Sequence, residues 1–112
     1  MDCLFCKIIN GDIPSNKVYE DEYCLAFHDI NPQTPVHILV IPKTHIASAD
    51  GVNAQNSIAV AKIFEAIPKV AQIAGLKNGY RIISNCGDDA CQTVKHIHFH
   101  IMGGRRLPEN MG

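Results

Sequence analysis

The segment His96-Ile97-His98-Phe99-His100-Ile101-Met102 alternates imidazole with bulky apolar side chains. A β-strand sends successive side chains to opposite faces. The pattern therefore fits a strand with His96, His98 and His100 on one face, at roughly 7 Å intervals, and Ile97, Phe99 and Ile101 on the other. One face is core and the other is imidazole. Histidine has no strand propensity that would recruit it three times to a merely solvated face. It does offer proton transfer, metal ligation and a nucleophilic nitrogen near neutral pH, so chemistry is the first reading. Spacing alone leaves a competitor open, a metal site in which His96, His98 and His100 hold an ion that activates water.

The rest of the chain surrounds that strand with short elements. Leu4, Phe5, Ile8 and Ile9 are spaced for a short N-terminal helix, with Asp2 as its N-cap and Asn10-Gly11 as its stop. Strands are expected at 18–20, 24–28 and 36–41, followed by Tyr80 to Ser84 and Thr93 to Met102. The almost wholly apolar run Val36-His37-Ile38-Leu39-Val40-Ile41 marks a strand covered on both faces. From about Gln55 to Ala74, the recurrence of Ile58, Ala61, Phe64, Ile67, Ala71 and Ala74 predicts one long amphipathic helix, kinked or restarted at Pro68 and closed near Gly75. The fold class is α+β: a mostly antiparallel five-stranded sheet, one long helix and a short N-terminal one.

At 112 residues the chain suits a single domain, 1–112, with one core. A formal charge of −1 provides no field for a nucleic-acid backbone, so nucleic acid is not expected as a partner. No stretch has the length of a membrane span and the N-terminus lacks the pattern of a secretory signal, which predicts a cytoplasmic protein without a membrane partner. The five cysteines, Cys3, Cys6, Cys24, Cys86 and Cys91, are an odd and scattered set and read as reduced thiols. Only Cys3-Leu4-Phe5-Cys6 has a spacing that suggests a site.

The seven residues from His96 to Met102 resemble the signature of the histidine triad family. Phe5-Cys6-Lys7-Ile8-Ile9, Leu25-Ala26-Phe27-His28-Asp29-Ile30, His37-Ile38-Leu39-Val40-Ile41-Pro42-Lys43-Thr44-His45 and Gln92-Thr93-Val94 follow in the family's order. The agreement is strongest with the Hint-type branch, the purine nucleoside phosphoramidases. That resemblance implies the histidine triad fold and a nucleotide hydrolase or transferase. In it His98 attacks the α-phosphorus of a purine nucleoside 5′-phosphoramidate, forming a nucleotidyl-histidine that water then hydrolyses. By the same resemblance His37, His100, His96 and Thr93 support the chemistry, and no catalytic metal is expected. Asp29 would take the ribose hydroxyls. Phe5, Ile8, Phe27, His28 and Ile30 would wall the purine pocket, and Asn85, Gln92 and Thr93 would lie on the phosphate side.

Relatives with the CxxC pattern resemble zinc proteins, which implies a structural zinc held by Cys3, Cys6, His45 and His96. The resemblance also implies a homodimer that pairs the long helix and the Tyr80 to Ser84 strand with their copies. Two departures stand out. Cys91 occupies a position where the family typically has glycine, and the tail Leu107 to Gly112 lacks an aromatic ending. They motivate a second reading, a catalytically weak nucleotide-binding interaction protein.

Overall fold

A computed structural model describes residues 3–111. The expected N-cap Asp2 lies outside them. The first helix, α1 (Leu4–Ile9), is capped instead by Cys3, whose Sγ accepts the Cys6 N–H at 3.4 Å. Five strands follow: β1 (Lys17–Glu20), β2 (Cys24–His28), β3 (Val36–Pro42), β4 (Arg81–Ile83) and β5 (Phe99–Gly103). They form one sheet in the order β1-β2-β3-β5-β4 with every pairing antiparallel, as the sequence leads one to expect. The long helix α2 (Ser57–Ala74) connects β3 to β4 and lets β5 insert between them.

The period of two along each inner strand divides the sheet between two cores. Cys24 and Ala26 of β2, Ile38 and Val40 of β3, and Ile97, Phe99 and Ile101 pack under α2. Leu25, Phe27, Leu39 and Ile41 face the other way, against Phe5 and Ile8 of α1. This is why β3 reads as apolar throughout: it has no solvent face.

The ladder of β5 begins at Phe99 and not at Thr93. Its partner β3 ends at Pro42, which has no N–H to give, and the Ile97 N–H turns to the Ile46 carbonyl at 2.6 Å. Side chains nevertheless keep alternating across 96–102, with Ile97 in the α2 core and His96 on the opposite side. The third unexpected feature is in α2. It continues through Pro68 as one helix and does not restart there, because Ile67, Val70 and Ala71 around the proline are buried and hold it to the sheet. Its buried stripe is Ala59, Ile63, Ala66, Ile67, Val70 and Ala71, while Ile58 and Phe64 are exposed. A helix apolar on most of its circumference does not disclose by periodicity which face meets the sheet.

At its end Gly75 adopts a left-handed conformation (φ 76°) and the Leu76 N–H returns to the Ala71 carbonyl at 2.9 Å. Among the described residues no helix is long and apolar enough to cross a membrane. Ile63 is fully buried beneath the sheet, so Ile63→Ala should cost about 2–5 kcal/mol in urea denaturation. Ile30→Ala, at a fully exposed side chain, should change stability by no more than about 0.5 kcal/mol.

Candidate active site

Hydrogen-bond partners assign the protons of three histidines. Nδ1 of His98 lies 2.8 Å from the backbone carbonyl of His96. A carbonyl only accepts, so Nδ1 carries the proton and Nε2 keeps its lone pair. The backbone N–H of Gln33 donates to Nδ1 of His37 at 3.0 Å, which places the His37 proton on Nε2. That Nε2–H faces Nδ1 of His100 at 2.9 Å and the Asp29 carboxylate at 3.4 Å. His100 therefore accepts at Nδ1 and carries its own proton on Nε2, a buried atom with no partner in the protein. The rings of His98 and His100 stand 5.1 Å apart and line the same cleft. One keeps a lone pair at Nε2, the other a buried and unpartnered N–H.

Burial favours the neutral form of His37 and His100. His37 is shifted below its ordinary value by desolvation, which outweighs the nearby Asp29 charge. His100 is pushed from 6.5 down to about 4 by burial first, then by the unfavourable charge of His98 and His37.

The cleft has a volume of about 280 Å³. Phe5 and Ile8 of α1, Phe27 of β2 and Leu39 of β3 form its apolar walls, with His28, Asp29, Ile30 and Thr93 also lining it. Phe5 presents its edge to Phe27 and to His98, at 5.7 and 5.1 Å. Asp29 is partly engaged already, since Oδ1 accepts the Asn31 N–H at 2.8 Å.

Two expected residues stand apart. Asn85 does not line the cleft. Gln92 is buried with its side chain spent inside the protein. Its Oε1 accepts the Gly87 N–H, and its Nε2 donates to the carbonyls of Ala47 and Val94. Cys91 adopts a left-handed conformation (φ 60°), which explains a preference for glycine at this position, and its exposed side chain does not line the cleft.

Leu4, Leu39 and Val94 line the cleft without having been singled out from sequence. Leu39 was recoverable, since it shares a strand face with His37. Ser84, whose Oγ donates to the His98 carbonyl at 2.9 Å, carried no sequence signal. A larger cleft of about 620 Å³ runs between Gly75–Gly79 and Gly104–Arg106. It holds Lys77, Arg105 and Arg106 but no group that titrates near neutrality, and the chemistry sits with the histidines.

His96 shares the face of His98 and His100 but belongs to a second centre. Its Nδ1 is 3.3 Å from Cys3 Sγ, 3.6 Å from Cys6 Sγ and 3.1 Å from Nδ1 of His45, and Cys6 Sγ is 3.4 Å from that same His45 atom. Nε2 of His96 donates to the Pro42 carbonyl at 2.9 Å, which fixes its tautomer and aims the Nδ1 lone pair at the cluster. Four soft donors converge with no cation or carboxylate among them, on separations close to the roughly 3.3–3.8 Å edges of a tetrahedral zinc site. Burial raises the Cys6 thiol, as does its contact with Cys3, and a bound cation would relieve both.

His96, His98 and His100 consequently do not form one metal face. Asp29, His37 and His100 do lie within 4.8 Å of one another, but the Gln33 N–H on Nδ1 of His37 keeps its Nε2 protonated and unsuited to ligation.

The sequence model of the HIT domain matches residues 10–107 of this chain. The crystal structure of a HIT family hydrolase from Legionella pneumophila Philadelphia 1 superimposes with a TM-score of 0.95 at 46% identity, covering 99% of this chain and 100% of that one. A histidine triad nucleotide-binding protein from Candida albicans gives a TM-score of 0.81 at 31% identity, over 99% of this chain and 87% of its own. A 14 kDa zinc-binding protein of Zea mays is 46% identical over 110 residues, 93% of this chain and 83% of its own.

The depressed value of His100 has a measurable consequence for stability. Below pH 6.5 the unfolded chain takes up a proton at this residue that the folded protein refuses until about pH 4. Stability, measured by urea denaturation, should be complete above pH 6.5 and decline as pH falls toward 4. His100→Gln should flatten that slope, and an equal slope in both proteins would show that His100 is not its source.

Proposed function

The chain belongs to the histidine triad (HIT) family, and on that premise we propose that it is a nucleotide hydrolase acting on purine nucleoside 5′-phosphoramidates or related conjugates. The observation that carries this reading is that His98, with its Nε2 lone pair, and His100, with an unpartnered Nε2–H, line one apolar-walled cleft together. Nε2 of His98 attacks the α-phosphorus, and the phosphorus–nitrogen bond breaks as the amine takes a proton from solvent and leaves, a proton that the attacking water gives back in the second step. The resulting nucleotidyl-histidine is attacked by water, which releases the nucleoside monophosphate and returns the lone pair to His98. His96 contributes its backbone carbonyl, which holds the proton on Nδ1 of His98 and supports the positive charge that develops on the ring.

His100 donates to a phosphoryl oxygen, and His37 sets the His100 tautomer through Gln33. Thr93 lies on the leaving-group side, with Asn85 beyond the cleft rim and Gln92 reaching a phosphate only through its backbone. Phe5, Ile8, Phe27, His28 and Ile30 surround the base, and Asp29 takes the ribose hydroxyls with the acceptor capacity left to it. The Candida albicans relative, named for nucleotide binding, and the Legionella hydrolase support this assignment.

Cys3, Cys6, His45 and His96 would hold zinc, a reading the donor set and the maize relative's name both support. When bound, zinc in a closed Cys₂His₂ set supplies structure and not chemistry. The exposed apolar side chains Ile58, Phe64 and Ile73 on α2 and Ile82 on the outer strand β4 support a homodimer built on those elements. A reducing cytoplasm suits cysteines that form no disulfide among the described residues, and we take residues 1–112 as a single domain.

His98→Ala removes the attacking nitrogen and leaves the α2 core untouched. Release of amine from adenosine 5′-phosphoramidate should fall by roughly 10³–10⁶-fold, with folding and association state retained. Near-normal turnover in that variant would rule out the covalent histidine route. Protein purified without chelator should contain about one zinc per chain, lost in Cys3→Ser/Cys6→Ser.

A further inference from the structure

We propose that the Cys3–Cys6–His45–His96 cluster is a positioning element for the nucleotide cleft, so that its integrity sets both the shape of the base pocket and the aim of His98. This rests on the reading of the histidine cleft as a nucleotide site. Two connections run between the centres, and each uses residues common to both.

The first is α1. Its cap Cys3 and its residue Cys6 both direct sulfur into the cluster, and Leu4, Phe5 and Ile8 of the same short helix line the cleft. Phe5 lies between the two cysteines in sequence and between the two centres in space. Its ring meets His96 edge-on at 5.9 Å and His98 at 5.1 Å, nearly perpendicular. A helix of six residues does not persist by itself, because nucleating a turn orders several residues for few hydrogen bonds. Only Phe5 and Ile8 of α1 are buried. Ile9 packs beside them half-buried, and the cluster is the other anchor, so the pocket wall loosens when the cluster is lost.

The second connection is His96 itself. Its ring is tied at both nitrogens, Nδ1 in the cluster and Nε2 on the Pro42 carbonyl. Its own carbonyl accepts the His98 Nδ1–H at 2.8 Å. Releasing the ring frees the backbone that keeps the His98 proton on Nδ1 and its lone pair on Nε2. Cys3, Cys6 and His45 thus act on His98 at one remove, through Phe5 and through His96.

His45→Ala tests this at the ligand that belongs neither to α1 with its cap nor to the histidine segment, with His45→Cys as the conservative variant that restores a fourth donor. Three quantities are read: amide hydrogen exchange, AMP affinity by calorimetry, and the imidazole ¹⁵N shifts of His98. In His45→Ala, amides of residues 6–10 should lose protection while those of Ile38 and Ile101 keep theirs. The AMP dissociation constant should rise about tenfold, the effect of α1 being docked a tenth of the time. The His98 shifts should move toward mixed tautomers, and His45→Cys should reverse all three.

Wild-type protein stripped of metal with a chelator gives the same comparison should His45→Ala fail to fold. Unchanged α1 exchange and unchanged AMP affinity in either preparation would overturn the proposal. If wild type does not bind AMP, the nucleotide reading fails, and α1 exchange with the His98 shifts still decides the coupling.

Discussion

The register between β3 and the histidine segment is the constraint on which the rest of the site depends. Leu39 stands opposite His100 and His37 opposite Met102, so His37 and His100 are diagonal neighbours on one face and meet at 2.9 Å. A slip of one residue would carry the imidazoles into the core under α2 and turn Ile97, Phe99 and Ile101 toward α1 and the cleft. That alternative is closed off because both faces of these central strands are packed, one by α2 and the other by α1. Site geometry and core packing are thus specified by the same pairing.

Within that register, backbone groups decide what each imidazole can do. The His96 carbonyl makes His98 a base at Nε2, and the Gln33 amide makes His37, and through it His100, a donor. Burial depresses His37 and His100, so a site for an anion is built without standing positive charge. This reconciles the proposed phosphate chemistry with a chain of net charge −1. A buried, unpartnered N–H such as that of His100 would stabilise a phosphoryl oxygen strongly, because little water competes for it.

The two centres divide the triad according to what lies over each histidine. His96 meets α1 at its cysteine end together with His45, and becomes a member of the four-donor cluster. His98 and His100 meet the apolar side of α1 and the β2–β3 loop, and open into the cleft. Phe5 separates the two environments while touching both. A six-residue helix accordingly influences more of the site than its size suggests.

Periodicity alone determined much of this protein: the alternation at 96–102, the doubly covered β3, the five short strands, and the long helix ended by Gly75. The candidate residues were legible too, because His37, Asp29, His98, His100 and the pair Cys3 and Cys6 stand in recognisable motifs. Only the tertiary structure decided which face of α2 is buried, that Gln92 braces a loop with its whole side chain, and that Ser84 holds the His98 carbonyl. It also decided the tautomers and gave His96 to the cysteine cluster and not to the cleft. The physical reason is that a local pattern specifies which way a side chain points. What it meets there, donor, acceptor, sulfur or solvent, is brought by segments remote in sequence, as Cys3 is brought to His96.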